Sequence, residues 1–173
     1  MTTKPSPLAS IIMGSASDLS VMEKAAAFLD DMEIPFEMQA LSAHRTPDAV
    51  EAFAKGAKGR GVKVIIAGAG MAAHLAGVIA SMTTLPVIGV PIDASSMNGV
   101  DALLSIVQMP PGIPVGTVGI NASLNAAILA AQILAGSDRE LQKKIEVYKE
   151  NLKQKIEKAN RELSKVSYTH KTN

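Results

Sequence analysis

Cysteine and tryptophan are both absent from the 173 residues, and three Phe with two Tyr are the only aromatic side chains of those types. Without cysteine there is no disulfide, no thiolate nucleophile and no sulfur-ligated zinc, which fits a reducing cytoplasm. At 3% aromatics, a surface that stacks bases is hard to build. A formal charge of +1 provides no strong field to attract a polyanion, so no nucleic-acid partner is expected. No uninterrupted apolar run approaches membrane-spanning length, and "MTTKPSPLAS" lacks the apolar stretch of a secretory signal. The chain is read as soluble and cytoplasmic, with no membrane partner.

What is present is aliphatic. Apolar residues make up 47% of the chain, so a core of Ala, Val, Ile, Leu and Met is expected, with the nine Met as filler. "LASIIMG" is a short apolar run stopped by Gly14, the pattern of a buried strand. "SDLSVMEKAAAFLDDM" follows with helical spacing, and Ser20 with Glu23 suggests a capping box near its start. Strand and helix then alternate through "IPFEMQAL", "TPDAVEAFAKGAKG", "VKVIIAG", "AAHLAGVIASM", "LPVIGVPI" and "NGVDALLSIVQM". After the break "PPGIP" come a last strand, "VGTVGI", and a fifth helix, "SLNAAILAAQILAG". Continuously apolar strands belong in a sheet covered on both faces. Strict alternation makes that sheet parallel, with right-handed crossovers. The expectation is a three-layer α/β fold over residues 8–136: a doubly wound, five-stranded parallel sheet of flavodoxin-like order.

Residues 137–166 read differently, as a long charged helix opened by a capping box of Ser137 and Glu140. Its apolar residues Leu141, Ile145, Tyr148, Leu152, Ile156, Ala159, Leu163 and Val166 alternate by three and four, a seam of coiled-coil type. Such a seam needs a surface of matching length. The helix can pack on its own domain, but its length favours neighbouring subunits as well. The tail "SYTHKTN", including His170, is expected to fray and to have no role.

In open parallel sheets, ligands bind beyond the carboxyl ends of the strands. Four segments fall there: "GSASD" (14–18), "SAHRT" (42–46), "GAGMAAH" (68–74) and "PIDASSMNG" (91–99). In the first, Ser15, Ser17 and Asp18 precede a helix whose free amides and dipole suit phosphate, while Asp18 is suited to sugar hydroxyls. Ser17 or Asp18 as a plain helix cap is the competing reading. In the second, Thr46 is a good N-cap and Pro47 fits the first helical position, leaving Ser42, His44 and Arg45 just ahead of a helix mouth. Arg45 brings a planar fork for a phosphate or carboxylate. His44 is the candidate for proton exchange, against the plainer reading of an imidazole bonded to backbone.

The third segment is nearly all Gly and Ala, which lets backbone approach a flat ligand closely. Gly68, Gly70 and Ala73 also satisfy the dinucleotide pattern G-x-G-x-x-A, with Asp93 after the next strand. That motif normally opens its fold, whereas here it comes third, so NAD is the weaker reading. His74 lines the pocket or bonds within its own helix; the two stay open. Asp93, Ser95, Ser96 and Asn98 face the site or serve turn chemistry.

With these residues laid out, the chain resembles the family of bacterial N5-carboxyaminoimidazole ribonucleotide mutases. The resemblance rests on "IIMGSASD", "SAHRTP", "AGAGMAAHLAG", "LPVIGVP", "SIVQMPPGIPVGTV" and "NAAILAAQIL", and covers nearly the whole chain. It implies conversion of N5-carboxyaminoimidazole ribonucleotide into 4-carboxy-5-aminoimidazole ribonucleotide, with CO2 as a trapped intermediate and no cofactor or metal. It also implies a flavodoxin-like fold and a homo-octamer. Ser15, Ser17 and Asp18 match the family's ribose-phosphate loop, Ser42 and Arg45 its phosphate contacts, His44 its proton-transfer histidine, and Gly70 with His74 the wall around the imidazole. Met71 stands where glycine is usual, Ala76 where proline is common, and "INASLNAA" is shorter than the usual segment. A related branch that carboxylates aminoimidazole ribonucleotide directly with CO2 typically carries Lys in place of Arg45 and lacks "AAHL". A non-catalytic module sensing a phosphorylated sugar or nucleotide is the rival from another class.

Overall fold

The computed structural model describes residues 5–94 and 96–173. They divide into two compact units, Met1–Leu134 and Ala135–Asn173. The first contains strands β1 (Ala9–Met13), β2 (Phe36–Ala40), β3 (Val64–Gly70), β4 (Val87–Ile92) and β5 (Gly116–Thr117). Helices α1 (Leu19–Asp31), α2 (Pro47–Ala57), α3 (Leu75–Met82), α4 (Val100–Val107) and α5 (Ser123–Ala135) alternate with them. All pairs are parallel, and the order β2-β1-β3-β4-β5 is the flavodoxin-like one expected.

The layers follow from side-chain alternation. Ile65, Ala67 and Ala69 of β3 point to one face, where they join Val50 and Phe53 of α2, Leu75 and Ile79 of α3, and Ala102 and Ile106 of α4. On the other face, Gly68 lies under Met22 of α1, whose Sδ would stand 2.5 Å from an added Cβ. The Ser123 hydroxyl of α5 donates to the Val21 carbonyl of α1, tying those two helices together. Small residues are therefore required on both faces. Gly89 of β4 is the counterpart on the first face, where a Cβ would meet Ile106 at 2.4 Å.

Several elements are shorter than expected, and three departures have a clear physical cause. The expected strand "VGTVGI" pairs with β4 only at Gly116 and Thr117. It is an edge segment preceded by Pro110, Pro111 and Pro114, which cannot donate to a ladder. Helix α3 begins at Leu75 rather than Ala72, because β3 runs on to Gly70 and Met71 turns the chain with a left-handed φ of +58°. Helix α1 begins at Leu19, so Ser20 lies inside it and cannot cap it.

The second unit is dominated by α6 (Arg139–Ser164), 26 residues long. Its cap is Asp138, which accepts from Glu140 and Leu141 N–H at 3.0 Å each, in place of the expected Ser137 box. Asp138 sits directly ahead of the first helical residue, where a side-chain oxygen reaches the second and third amides. Ion pairs such as Lys143–Glu140 at 2.8 Å decorate its polar side. Of the seam, Leu152, Ile156, Leu163 and Val166 are exposed, Ile156 by 65%.

Candidate active site

The loop after β1 is a 3-10 turn, Ala16–Asp18, and its capping box is Ser15 with Asp18 rather than Ser20 with Glu23. Ser15 Oγ accepts from Ser17 N–H at 3.3 Å, and Asp18 Oδ2 accepts from Ser15 N–H at 3.1 Å. The Ser17 hydroxyl lies 3.4 Å from Asp18 Oδ1. Asp18 is only 6% exposed. Burial pushes its carboxyl above the ordinary 3.8, against the opposing pull of hydrogen bonds from Ser15, Ser17 and Gly14 and of the Arg45 charge.

The loop after β2 is braced by Thr46. It occupies the N-cap position of α2, with Pro47 following, but its hydroxyl makes no capping bond. Instead it accepts from Ser42 N–H at 3.0 Å and donates to the Ser42 carbonyl at 3.1 Å. Ser42 Oγ in turn accepts from the Arg45 backbone N–H at 3.2 Å and from Arg45 Nε at 3.3 Å. Arg45 Nη2 reaches across to the Gly14 carbonyl at 2.9 Å. The guanidinium thus ties the first two loops together, at the two ends of adjacent strands.

His44 extends from the same loop toward the third. Its Nε2 lies 2.8 Å from His74 Nδ1, with the rings edge-on at 83° and centroids 4.9 Å apart. One N–H fits between two ring nitrogens, so the pair accommodates a single shared hydrogen on that line. His74 occupies the N-cap position of α3 and makes no side-chain capping bond.

Gly68 and Gly70 both lie within β3, not in a turn that grips a pyrophosphate. A Cβ on Gly70 would come 2.6 Å from Ala94 Cβ and 3.0 Å from the Ile92 carbonyl. Packing against the chain after β4 accounts for that glycine, as packing under α1 does for Gly68. The dinucleotide pattern is therefore a coincidence of small residues in a crowded strand.

Ser15, Ser17, Asp18, Ser42, His44, Arg45, Gly70 and His74 all line one cavity of about 470 Å3. Gly14, Ala43, Ala94 and Met71 complete much of its wall. Asp93, Ser96 and Asn98 do not line it, and Ser95 lies outside the described residues. Asn121 was missed by motif reasoning. Its Oδ1 accepts from Asp93 N–H at 2.9 Å and its own N–H donates to the Pro91 carbonyl at 2.8 Å, holding the chain that carries Ala94. Its left-handed φ of +57° is of a kind Asn tolerates, a weak signal present in the sequence. Among the described residues, no group of three or more His, Asp or Glu could hold a metal ion. Among them also, no helix is long and apolar enough to cross a membrane.

Fold and cleft together define a flavodoxin-like α/β protein with a pocket carrying Ser, Asp, His and Arg side chains at the switch point between β1 and β3, where such sheets take small ligands. The chain belongs to the AIR carboxylase family, which it matches over residues 8–155. It is 56% identical over 147 residues to the N5-carboxyaminoimidazole ribonucleotide mutase of Pyrococcus abyssi, covering 85% of this chain and 84% of that one. It is 54% identical over 164 residues to the phosphoribosylaminoimidazole carboxylase of Schizosaccharomyces pombe, 94% of this chain but 30% of the fungal protein. A crystal structure of Treponema denticola PurE superimposes with a TM-score of 0.82 at 32% identity, covering 91% of this chain and 98% of that one.

Proposed function

We propose that this chain is a mutase of purine biosynthesis, converting N5-carboxyaminoimidazole ribonucleotide into 4-carboxy-5-aminoimidazole ribonucleotide. The observation that carries the reading is the pairing of two imidazoles over a serine–arginine–aspartate cradle in one cavity. The cavity is of a size that suits a ribonucleotide. Relatives bearing the mutase name across most of their length add to it.

In this reading Arg45, Ser42 and the Ser15–Ser17 turn take the phosphate, and Asp18 accepts from ribose hydroxyls. Gly70 and His74 wall the imidazole. The first step breaks the bond between the exocyclic nitrogen and the carboxylate carbon. The electron pair stays on nitrogen, which takes a proton from His44, and CO2 is released in place. The ring carbon then attacks CO2, forming a carbon–carbon bond, and its remaining hydrogen returns as a proton to His44. Proton count and charge balance, and neither ATP, metal nor cofactor enters. If Nε2–H of His44 stays bonded to His74 Nδ1, the other nitrogen, Nδ1, is the one that cycles. Holding ring and CO2 together lowers the barrier by avoiding a bimolecular encounter, an effect of up to about 7–11 kcal/mol in the best cases.

Self-association belongs to the same proposal. On α4, Val100, Leu104 and Val107 form an exposed apolar stripe at helical spacing, Leu104 being 51% exposed. The exposed seam of α6 is a second such surface. Both support a homo-oligomer, which we take to be the octamer, working in the cytoplasm. The fungal relatives named as carboxylases favour a second reading, direct carboxylation of aminoimidazole ribonucleotide. One experiment separates them: the chain, in chelator and without ATP, is given the N5-carboxylated substrate or aminoimidazole ribonucleotide with bicarbonate. Carbon-carboxylated product from the first supply is expected. Product from the second supply alone would install the carboxylase reading, and product from neither would leave a ligand-sensing module.

A further inference from the structure

Met71 combines features that are each unfavourable in the free protein. Its φ of +58° lies in the left-handed region that bulky side chains avoid. The residue is 59% exposed. It also lines the cavity alongside His44 and His74. Glycine would relieve the torsion and remove the exposed apolar surface together. The preceding position shows what packing alone selects: Gly70 has no room for a side chain, because Ala94 stands in the way. One residue later, a long unbranched side chain is kept at a left-handed torsion on the pocket wall, a place where retained strain points to use of the side chain.

We propose that Met71 is a specificity-determining residue that folds over the heterocycle of the bound ribonucleotide. This rests on the ribonucleotide reading given above. A thioether is flexible, polarisable and favourable against an aromatic ring, and contact with that ring would take its exposed surface out of water. The same cover would keep water from the migrating carboxylate. The phosphate and ribose are held by Arg45, Ser42 and Asp18 on other loops, so Met71 acts on the base end of the ligand alone.

The test compares wild type, Met71→Gly and Met71→Leu by calorimetric titration with aminoimidazole ribonucleotide and with ribose 5-phosphate. Thermal melts and sedimentation of the ligand-free proteins accompany it. Met71→Gly is expected to melt higher and to bind aminoimidazole ribonucleotide about five- to tenfold more weakly, with ribose 5-phosphate unchanged. Met71→Leu should bind the ribonucleotide within about threefold of wild type, since volume and apolarity are nearly conserved. Undiminished ribonucleotide binding by Met71→Gly, or an equal loss for both ligands, overturns the inference. So does a changed sedimentation mass with unchanged affinity, which would assign the side chain to a subunit contact. Wild type that neither binds nor turns over the ribonucleotide defeats the functional reading and this inference together. Wild type that does both, beside an undiminished Met71→Gly, defeats the inference alone.

Discussion

Arg45→Lys keeps the positive charge at the pocket and removes the fork. Two side-chain bonds depend on that fork: Nε to Ser42 Oγ at 3.3 Å and Nη2 to the Gly14 carbonyl at 2.9 Å. A lysine ammonium is a point donor on a flexible stem and can satisfy one of these partners at a time. Hydrogen bonds from charged groups contribute about 1.5–3 kcal/mol each when sheltered, and Arg45 is exposed, so a net loss of about 1–2 kcal/mol is expected. If the tie between the loops serves phosphate binding, affinity falls roughly five- to thirtyfold. The loss should appear in KM more than in kcat, because the proposed reading puts these contacts at the phosphate end of the substrate. Arg45→Ala adds a second, separable effect. The Arg45 charge holds the raised carboxyl of Asp18 down, so its removal lets Asp18 rise further. The acidic limb of kcat/KM should then move to higher pH in the Ala variant and stay in place in the Lys variant. Steady-state kinetics across pH, with ribose 5-phosphate titrations, measure both. An Arg45→Lys enzyme with wild-type KM would refute the claim that this fork organises the anion site.

Replacing His44 with Asn should reduce turnover by about 10^2–10^4, the range for losing a general acid–base, while titrations show ribonucleotide binding nearly intact. Normal turnover in that variant ends the proton-transfer assignment. Away from the pocket, burial works to raise the Glu37 carboxyl, but the Arg60 fork and the Ser10 hydroxyl outweigh it and hold it below its ordinary 4.5. That stabilisation is complete above about pH 4.5 and is lost as pH falls through the lowered folded-state value. Glu37→Gln should therefore be less stable than wild type at neutral pH by about 1–2 kcal/mol, and denaturant melts should show the gap closing in acid. A gap that stays constant down to acid pH would remove the ion pair as its cause. Leu104→Asp places a charge in the exposed α4 stripe and should lower the sedimentation mass; an unchanged mass would mean that the stripe is not a subunit contact.

Much of the candidate site's layout was legible because its parts are local. The strings "GSASD" and "SAHRT" each put their polar residues within one turn of a helix start, and the alternation of strand and helix carried those starts to the same edge of the sheet. What misled the reading was also local. Ser20–Glu23 and Ser137–Glu140 have capping-box spacing, yet the helices start one residue before Ser20 and two after Ser137; Asp138 caps the second, and the box near the first belongs to Ser15 and Asp18 of the preceding 3-10 turn. The G-x-G-x-x-A match failed because the spacing of glycines does not say whether a Cβ is excluded by a ligand or by the protein itself. Met22 and Ala94, which exclude it here, come from residues far along the chain.

Periodicity and composition alone determined the layer architecture, since a continuous apolar run between helical segments has few ways to hide both of its faces. Three features were decided only by tertiary structure. They are the contact of His44 with His74, the reach of Arg45 to the Gly14 carbonyl, and the hold of Asn121 on Asp93. Each joins residues at least 28 positions apart across different loops. Their distances depend on strand register and helix packing to a fraction of an ångström, and no local preference of the chain encodes that.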